Sequence, residues 1–89
     1  MMSNTINDYK TAEKIKKLIK KQYMSENIHI LKSANLDSNK KEYYILKVFS
    51  IVFLGSELEK IKTIFKTVVD YKPVMIFNTQ GGELMLTLI

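Results

Sequence analysis

Two stretches of the chain place apolar residues three and four positions apart, which is the spacing of an amphipathic helix. The first stretch runs from about Asp8 to Met24. The second follows Gly55 and extends to about Tyr71, because Pro73 cannot continue a helix. The stripe of the first helix consists of Thr11, Ala12, Ile15, Leu18, Ile19 and Tyr23. The stripe of the second consists of Leu58, Ile61, Ile64, Phe65, Val68 and Val69. Each stripe predicts a helix face that packs against a core.

The start of the second helix carries a local capping signature. Ser56 and Glu59 stand at the first and fourth positions of a capping box. In this motif the first side chain accepts a hydrogen bond from the backbone N–H of the fourth residue, and the fourth side chain bonds the first residue's N–H in return. We therefore expect Ser56 to be the N-cap residue of this helix.

The segment between the two helices alternates side chains with the two-residue period of β-strands. A short strand is predicted over Ile28–Leu31 and a long one over about Glu42–Leu54. The long strand is rich in aromatic and β-branched residues, which favour extended backbone. Four polar turn-forming residues, Asp37–Lys40, lie between the strands and predict a hairpin loop.

The segment after the second helix repeats this arrangement. Two further strands are predicted over Val74–Asn78 and Leu84–Ile89. Gly81 and Gly82 lie between them and predict a tight turn, because glycine readily adopts the positive φ that such turns need.

The order of elements is therefore α-β-β-α-β-β, within a single small domain over residues 1–89 whose first seven residues we expect to be flexible. The simplest architecture is an α+β fold, a four-stranded, mainly antiparallel sheet with both helices packed on one face. The two halves repeat one helix and one hairpin at a spacing of about 45 residues, within the range of structural repeats. Duplication of an αββ unit remains open, because the halves share no clear residue-level identity.

Alternation divides each strand into two sets of side chains, and we assign the almost wholly aliphatic set to the core. The other set mixes aromatic residues and methionine with Lys47, Thr79 and Thr87, which is too apolar for a face that meets only water. Its apolar members are Tyr43, Ile45, Phe49, Ile51, Met75, Phe77 and Met85. Three interpretations compete: cover by the N-terminal segment or loops, self-association or docking on a protein partner, and a stacking platform for single-stranded nucleic acid. We favour a homodimer or a docked protein partner.

Composition narrows the class of protein. The chain has 89 residues, a formal net charge of +5 and no cysteine, which excludes disulfides and thiolate metal sites. The longest apolar run, Val48–Leu54, is far shorter than the roughly 20 residues of a membrane helix. Residues Met1–Lys10 lack the apolar segment of a secretory signal. We expect a small, basic, cytoplasmic protein.

A row of lysines follows the first predicted helix. Lys10, Lys14, Lys17 and Lys21 fall within an arc of about 60° on a helical projection, away from the apolar stripe. The row suits a nucleic-acid backbone or an acidic partner, yet all 14 basic residues are lysine, without the arginine that grips phosphate bidentately. A solvated face is the more common reason for such a row. Nucleic-acid binding is therefore the alternative function.

Chemistry-bearing residues are sparse. His29 is the only histidine, and with no cysteine in the chain and no carboxylate cluster near it, His29 is a poor candidate for a metal ligand. No nucleophile motif and no phosphate-binding glycine loop occurs. We predict a non-enzymatic interaction protein with no catalytic residue, metal site or cofactor, and with His29 on a strand surface.

Overall fold

The computed structural model describes residues 5–23, 27–33, 42–50 and 52–89. The chain forms two helices and a four-stranded antiparallel sheet in the order α-β-β-α-β-β. The elements are α1 (Tyr9–Tyr23), β1 (Ile28–Ser33), β2 (Tyr43–Ser50), α2 (Gly55–Val69), β3 (Met75–Gln80) and β4 (Glu83–Leu88). The predicted α+β fold is confirmed. Within the described ranges, neither helix is long and apolar enough to span a membrane.

Helix α1 begins at Tyr9 because the preceding residue satisfies its first free donors. One carboxylate oxygen of Asp8 accepts the backbone N–H of Lys10 at 3.3 Å, and the other accepts the hydroxyl of Thr11 at 3.2 Å. A side-chain acceptor at this position is the usual way to start a helix. The apolar stripe then turns Ala12, Ile15 and Ile19 fully into the core, as its spacing predicted.

Helix α2 begins at Gly55, so the N-cap position belongs to Leu54 and the prediction of Ser56 as the N-cap is wrong. The carboxylate of Glu57 accepts the backbone N–H of Leu54 at 3.1 Å, which is the returning half of a capping box. Leucine has no side-chain acceptor to supply the other half. The helix ends at Asp70, whose φ of 59° lets its N–H reach the carbonyls of Phe65 and Lys66 at 3.1 Å each.

The sheet has the strand order β1-β2-β4-β3, and every neighbouring pair is antiparallel. Strand β2 ends at Ser50, earlier than the alternation suggested, and the Ser50 hydroxyl donates to the carbonyl of Val52 at 2.8 Å. Gly81 and Gly82 have φ of 60° and 83° and form the predicted tight turn between β3 and β4. The predicted loop Asp37–Lys40 lies outside the described residues.

The core lies between the two helices and one face of the sheet. Pairing places Ile28, Val48 and Leu86 in one cross-strand row and Ile30, Leu46 and Leu88 in the next. Phe65 of α2 is fully buried in the same cluster. Ile6, in the segment that the sequence suggested to be flexible, is only 1% exposed, and its carbonyl accepts the N–H of Tyr44 at 2.8 Å.

The register corrects the predicted assignment of β3. Met75 pairs with Leu88 and Phe77 with Leu86, so both side chains lie on the helix side of the sheet. Their placement with Tyr43 and Phe49 is therefore wrong. Alternation separates the two faces within one strand, but a shift of one residue between strands exchanges them. Ile51, assigned to the same face, lies outside the described residues.

Candidate interaction surfaces

The sheet face opposite the helices is the first candidate surface, and we call it the open face. Among the described residues, no helix or further strand packs against it. Its residues from the strands are His29, Leu31, Ser33, Tyr43, Ile45, Lys47, Phe49, Ile76, Asn78, Gln80, Glu83, Met85 and Thr87. Tyr43, Ile45, Phe49 and Met85 of the predicted surface lie together here.

One edge of the open face is an aliphatic row that crosses the sheet. Leu31 pairs with Ile45, and Val74 exchanges backbone hydrogen bonds with Ile89 at 2.9 and 3.1 Å. Continuing the register past the pair of Leu46 and Leu88 sets Ile89 beside Ile45. Leu31 and Val74 are 44% and 57% exposed, so the outer ends of this row offer apolar area to a partner.

The opposite edge is an aromatic and methionine row. Phe49 pairs with Met85, which pairs with Asn78. The Phe49 ring meets His29 edge to face, with ring centroids 5.6 Å apart. Edge-to-face contact of this kind holds both rings in defined orientations.

A polar row separates these two rows. His29 pairs with Lys47, which pairs with Thr87. The Lys47 side chain is half-buried and forms no ion pair with any residue in the described ranges. His29 is exposed at the edge of the sheet, and Thr87 is buried at the centre of the sheet. The open face is therefore an apolar surface with one amphipathic cation in its middle.

His29 lies on the open face, exposed at the sheet edge. Its contact is the edge of the Phe49 ring. The two ring planes are nearly perpendicular, at 85° to each other. No group of three histidine, cysteine or carboxylate side chains with metal-binding proximity occurs in the part of the chain that the structure describes.

The lysine row of α1 is the second candidate surface. Lys10, Lys14, Lys17 and Lys21 are all exposed, and the first three line a shallow groove with Glu13. None of these lysines is within ion-pair distance of an acidic group that the structure describes. The predicted row is thus brought together on one side of the helix with its charge uncompensated by direct pairing.

Helix α2 has a different charge arrangement. Lys62 lies 3.2 Å from the carboxylate of Glu59, and Lys66 lies 3.1 Å from that of Asp70. Such exposed pairs add little stability, but they lower the local positive potential. The uncompensated cations therefore concentrate on α1.

Tyr71, two residues after the end of α2, is a buried tyrosine of the core. Tyr71 is 9% exposed and packs edge to face on Phe65, with ring centroids 5.9 Å apart. Its hydroxyl has no hydrogen-bond partner among the described residues. Burial raises the pKa of Tyr71, because the phenolate would lose hydration. Its surroundings are apolar, so it belongs to the core and not to a reactive site.

The open face could be predicted only in part from the sequence. Leu31, Val74 and Ile76 also contribute to it, although alternation alone had grouped Val74 and Ile76 with the aliphatic side. The detectable signal was the apolar character of both faces of the last strands. Comparison of the chain with protein-family models, with curated proteins and with solved structures finds no match.

Proposed function

We propose that this chain is a non-enzymatic interaction protein whose open face binds the surface of another protein. The observation that supports this is an apolar sheet face against which none of the described elements packs. Contiguous apolar area with a few polar groups is typical of protein-binding surfaces. Exposed Leu31 and Ile76, with half-buried Ile45 and Phe49, supply its accessible apolar area, whereas Met85 and Thr87 are already buried.

The partner surface is apolar and carries a carboxylate that meets Lys47. Lys47 lies at the centre of the open face and has no acidic partner in the described structure. Contact with an apolar surface would remove water from the ammonium group, which is favourable only where an opposite charge compensates it. A second copy would set Lys47 against another cationic face of a chain with net charge +5, so a different, acidic partner fits better.

A selection of random displayed peptides tests this proposal. The wild type is expected to enrich peptides that combine apolar residues with Asp or Glu. Lys47→Glu is expected to replace the acidic preference with a basic one, because the charge at the centre is reversed. Lys60→Glu, on the exposed side of α2, is the matched control and should enrich the same peptides as the wild type.

Two further variants localise the binding. Leu31→Asp and Ile76→Asp replace exposed side chains at the two ends of the open face, so they affect the core little. Each should weaken the selected peptides roughly tenfold or more, because a buried leucine-sized contact is worth about 1.5–3 kcal/mol. Unchanged affinity in both variants, or no enriched peptide at all, would refute the proposal.

Binding of a polyanion by the lysine row is the second candidate function. The observation that favours it is the contrast between the unpaired lysines of α1 and the ion-paired lysines of α2. The row rises over roughly 16 Å from Lys10 to Lys21. It is therefore long enough to contact several phosphates of a nucleic-acid backbone.

Salt dependence of binding to a fluorescent oligonucleotide distinguishes this function from nonspecific attraction. Four phosphate contacts predict a slope of about −3.6 in log affinity against log salt on duplex DNA, and Lys14→Glu with Lys17→Glu should reduce its magnitude by about 2. Lys62→Glu with Lys66→Glu carries the same charge change on α2 and should alter the slope much less. Equal losses in both double variants, or no binding at low salt, would eliminate this candidate.

A further inference from the structure

The outer edge of β3 is one of the two sheet edges with which no described strand pairs. Strand β3 is at the end of the sheet, and β4 is the one described strand that pairs with it. Five of its six residues, Ile76–Gln80, are exposed, and none of the six is charged. Natural sheet edges are usually protected by charge, proline or a bulge, because a bare edge pairs with other strands.

The pairing with β4 identifies which backbone groups of β3 face outward. Val74 and Ile89 exchange both backbone hydrogen bonds, so they form a hydrogen-bonded pair. Such pairs alternate along an antiparallel ladder, so the even-numbered residues of β3 bond to β4. The N–H and C=O groups of Met75, Phe77 and Thr79 therefore point away from the sheet.

We propose that two copies of this chain pair antiparallel through their β3 edges, with a two-fold axis at Phe77. In this register Phe77 faces Phe77 of the second copy, and Met75 faces Thr79. All three outward N–H and all three outward C=O groups of each strand are then satisfied, which gives six hydrogen bonds across the axis. Shifting the register by two residues leaves some of these groups unpaired, so the symmetric register is preferred.

The absence of charged side chains favours a second copy at this edge over the β1 edge. A chain of net charge +5 repels its own copy, so self-contact is favoured where charge is locally absent. At the opposite edge, the ammonium group of Lys32 in β1 lies 2.7 Å from the carboxylate of Glu42. A hydrogen bond to Glu42 raises the pKa of Lys32. Both side chains of this pair are charged at neutral pH, so a second copy at this edge would meet charged groups. The β3 edge has no such group.

Exposed apolar side chains extend the contact beyond the backbone. Phe77 is 47% exposed and meets Phe53 edge to face at 5.9 Å on the helix side. Across the axis the two Phe77 rings become direct neighbours, and such aromatic cross-strand pairs add stability. On the other side, Ile76 faces Asn78 of the second copy. The result is one eight-stranded sheet in which the two open faces lie side by side and remain accessible. The dimer contact is the β3 edge, which shares with the open face only the open-face residues of β3.

Sedimentation of the wild type and of charged variants tests the pairing. The wild type should reach the mass of a dimer as its concentration approaches about 1 mM, since small interfaces associate weakly. Phe77→Lys should remain a monomer, because it sets two ammonium groups together at the axis. Leu31→Lys makes the same change on β1 and should retain the dimer. Circular dichroism checks the fold, and Thr79→Lys replaces Phe77→Lys if the latter does not fold.

Single cysteines test the register, because the chain has no cysteine of its own. Phe77→Cys should form a disulfide-linked dimer readily, since the paired Cα atoms would be about 5.5 Å apart, within disulfide range. Leu31→Cys should not, because seven strand spacings of about 4.8 Å separate the two β1 edges.

Each outcome supports or overturns the inference. A monomeric wild type at about 1 mM, a Phe77→Lys variant that still dimerises, or a disulfide at position 31 without one at position 77 would overturn it. The last result would indicate contact through the open faces. If Leu31→Asp loses peptide binding but still dimerises, the β3 edge and the open face are two independent binding surfaces.

Discussion

The two αββ halves of this protein have the same connectivity but different surfaces. In the first half, α1 carries six lysines and one glutamate, and its edge strand β1 carries the Lys32–Glu42 ion pair. In the second, the lysines Lys62 and Lys66 of α2 are ion-paired, and its edge strand β3 is uncharged. Topology is thus common to both halves, whereas charge distinguishes the surface that we propose for a polyanion from the edge that we propose for a second copy.

The halves nevertheless share one core. Their inner strands β2 and β4 are neighbours at the centre of the sheet, and α1 packs against α2. Buried side chains of both halves pack in one core, because the apolar stripe of each helix packs against more than its own hairpin. We therefore expect the chain to unfold as one unit, although its surfaces are divided between the halves.

The largest effect should come from removing a core side chain in either half. Phe65→Ala is expected to lower the free energy of unfolding by about 3–5 kcal/mol and Ile15→Ala by about 2–5 kcal/mol, because each leaves a cavity at a fully buried position. Urea unfolding followed by circular dichroism and by tyrosine fluorescence measures both. A single shifted transition is expected in each variant. Two separate transitions would show that the halves are independent.

The turn of the second hairpin should produce the next largest effect. Gly82 has φ of 83°, so Gly82→Ala should lower the free energy of unfolding by about 1–2 kcal/mol. Space is not the cause, since a Cβ atom there would meet nothing within 4 Å. Gly55, whose φ is ordinary and whose surroundings are also open, is the matched control. Gly55→Ala should be neutral or slightly stabilising, and equal losses at both glycines would contradict this explanation.

Tyr71 offers a gain in stability and a pH dependence. Tyr71→Phe should raise the free energy of unfolding by about 1 kcal/mol, because it removes a buried hydroxyl without a partner among the described residues. Burial raises the pKa of Tyr71 in the folded chain. Above about pH 10 the unfolded chain therefore loses this proton first, and the wild type loses stability as pH rises.

The pH dependence is measured by urea unfolding of both proteins from pH 7 to about pH 11. The difference between Tyr71→Phe and the wild type should be constant below about pH 10 and should widen above it. A difference that narrows at alkaline pH would contradict the raised pKa.

The helix starts should give the smallest effects and compare the two halves directly. Asp8→Ala removes two hydrogen bonds at the start of α1 and should cost about 1 kcal/mol. Glu57→Ala removes one at the start of α2 and should cost about half as much. Thermal unfolding of the two variants measures this order, and a larger loss for Glu57→Ala would reverse the assigned capping roles.

Short sequence patterns correctly predicted the features that depend only on residues close together in the chain. The stripe through Ile15 and Ile19 identified the buried side of α1, and the glycine pair identified the second turn. The start of α2 was predicted two residues late. The predicted pair Ser56–Glu59 and the observed pair Leu54–Glu57 both place a glutamate three residues after the N-cap, so this spacing does not distinguish them. Of the candidate sheet surface, Phe49 and Met85 were assigned to the correct face, whereas Met75 and Phe77 were not.

The amino-acid sequence by itself determined the order of the elements, the core side of each helix and the absence of cysteine chemistry, since these depend on residue type and short spacing. Only the tertiary structure decided that β3 is an edge strand, that Phe77 lies on the helix side and that Ile6 joins the core. These features depend on which distant segments pair and in which register. A shift of one residue there reverses every side chain while leaving the local pattern unchanged.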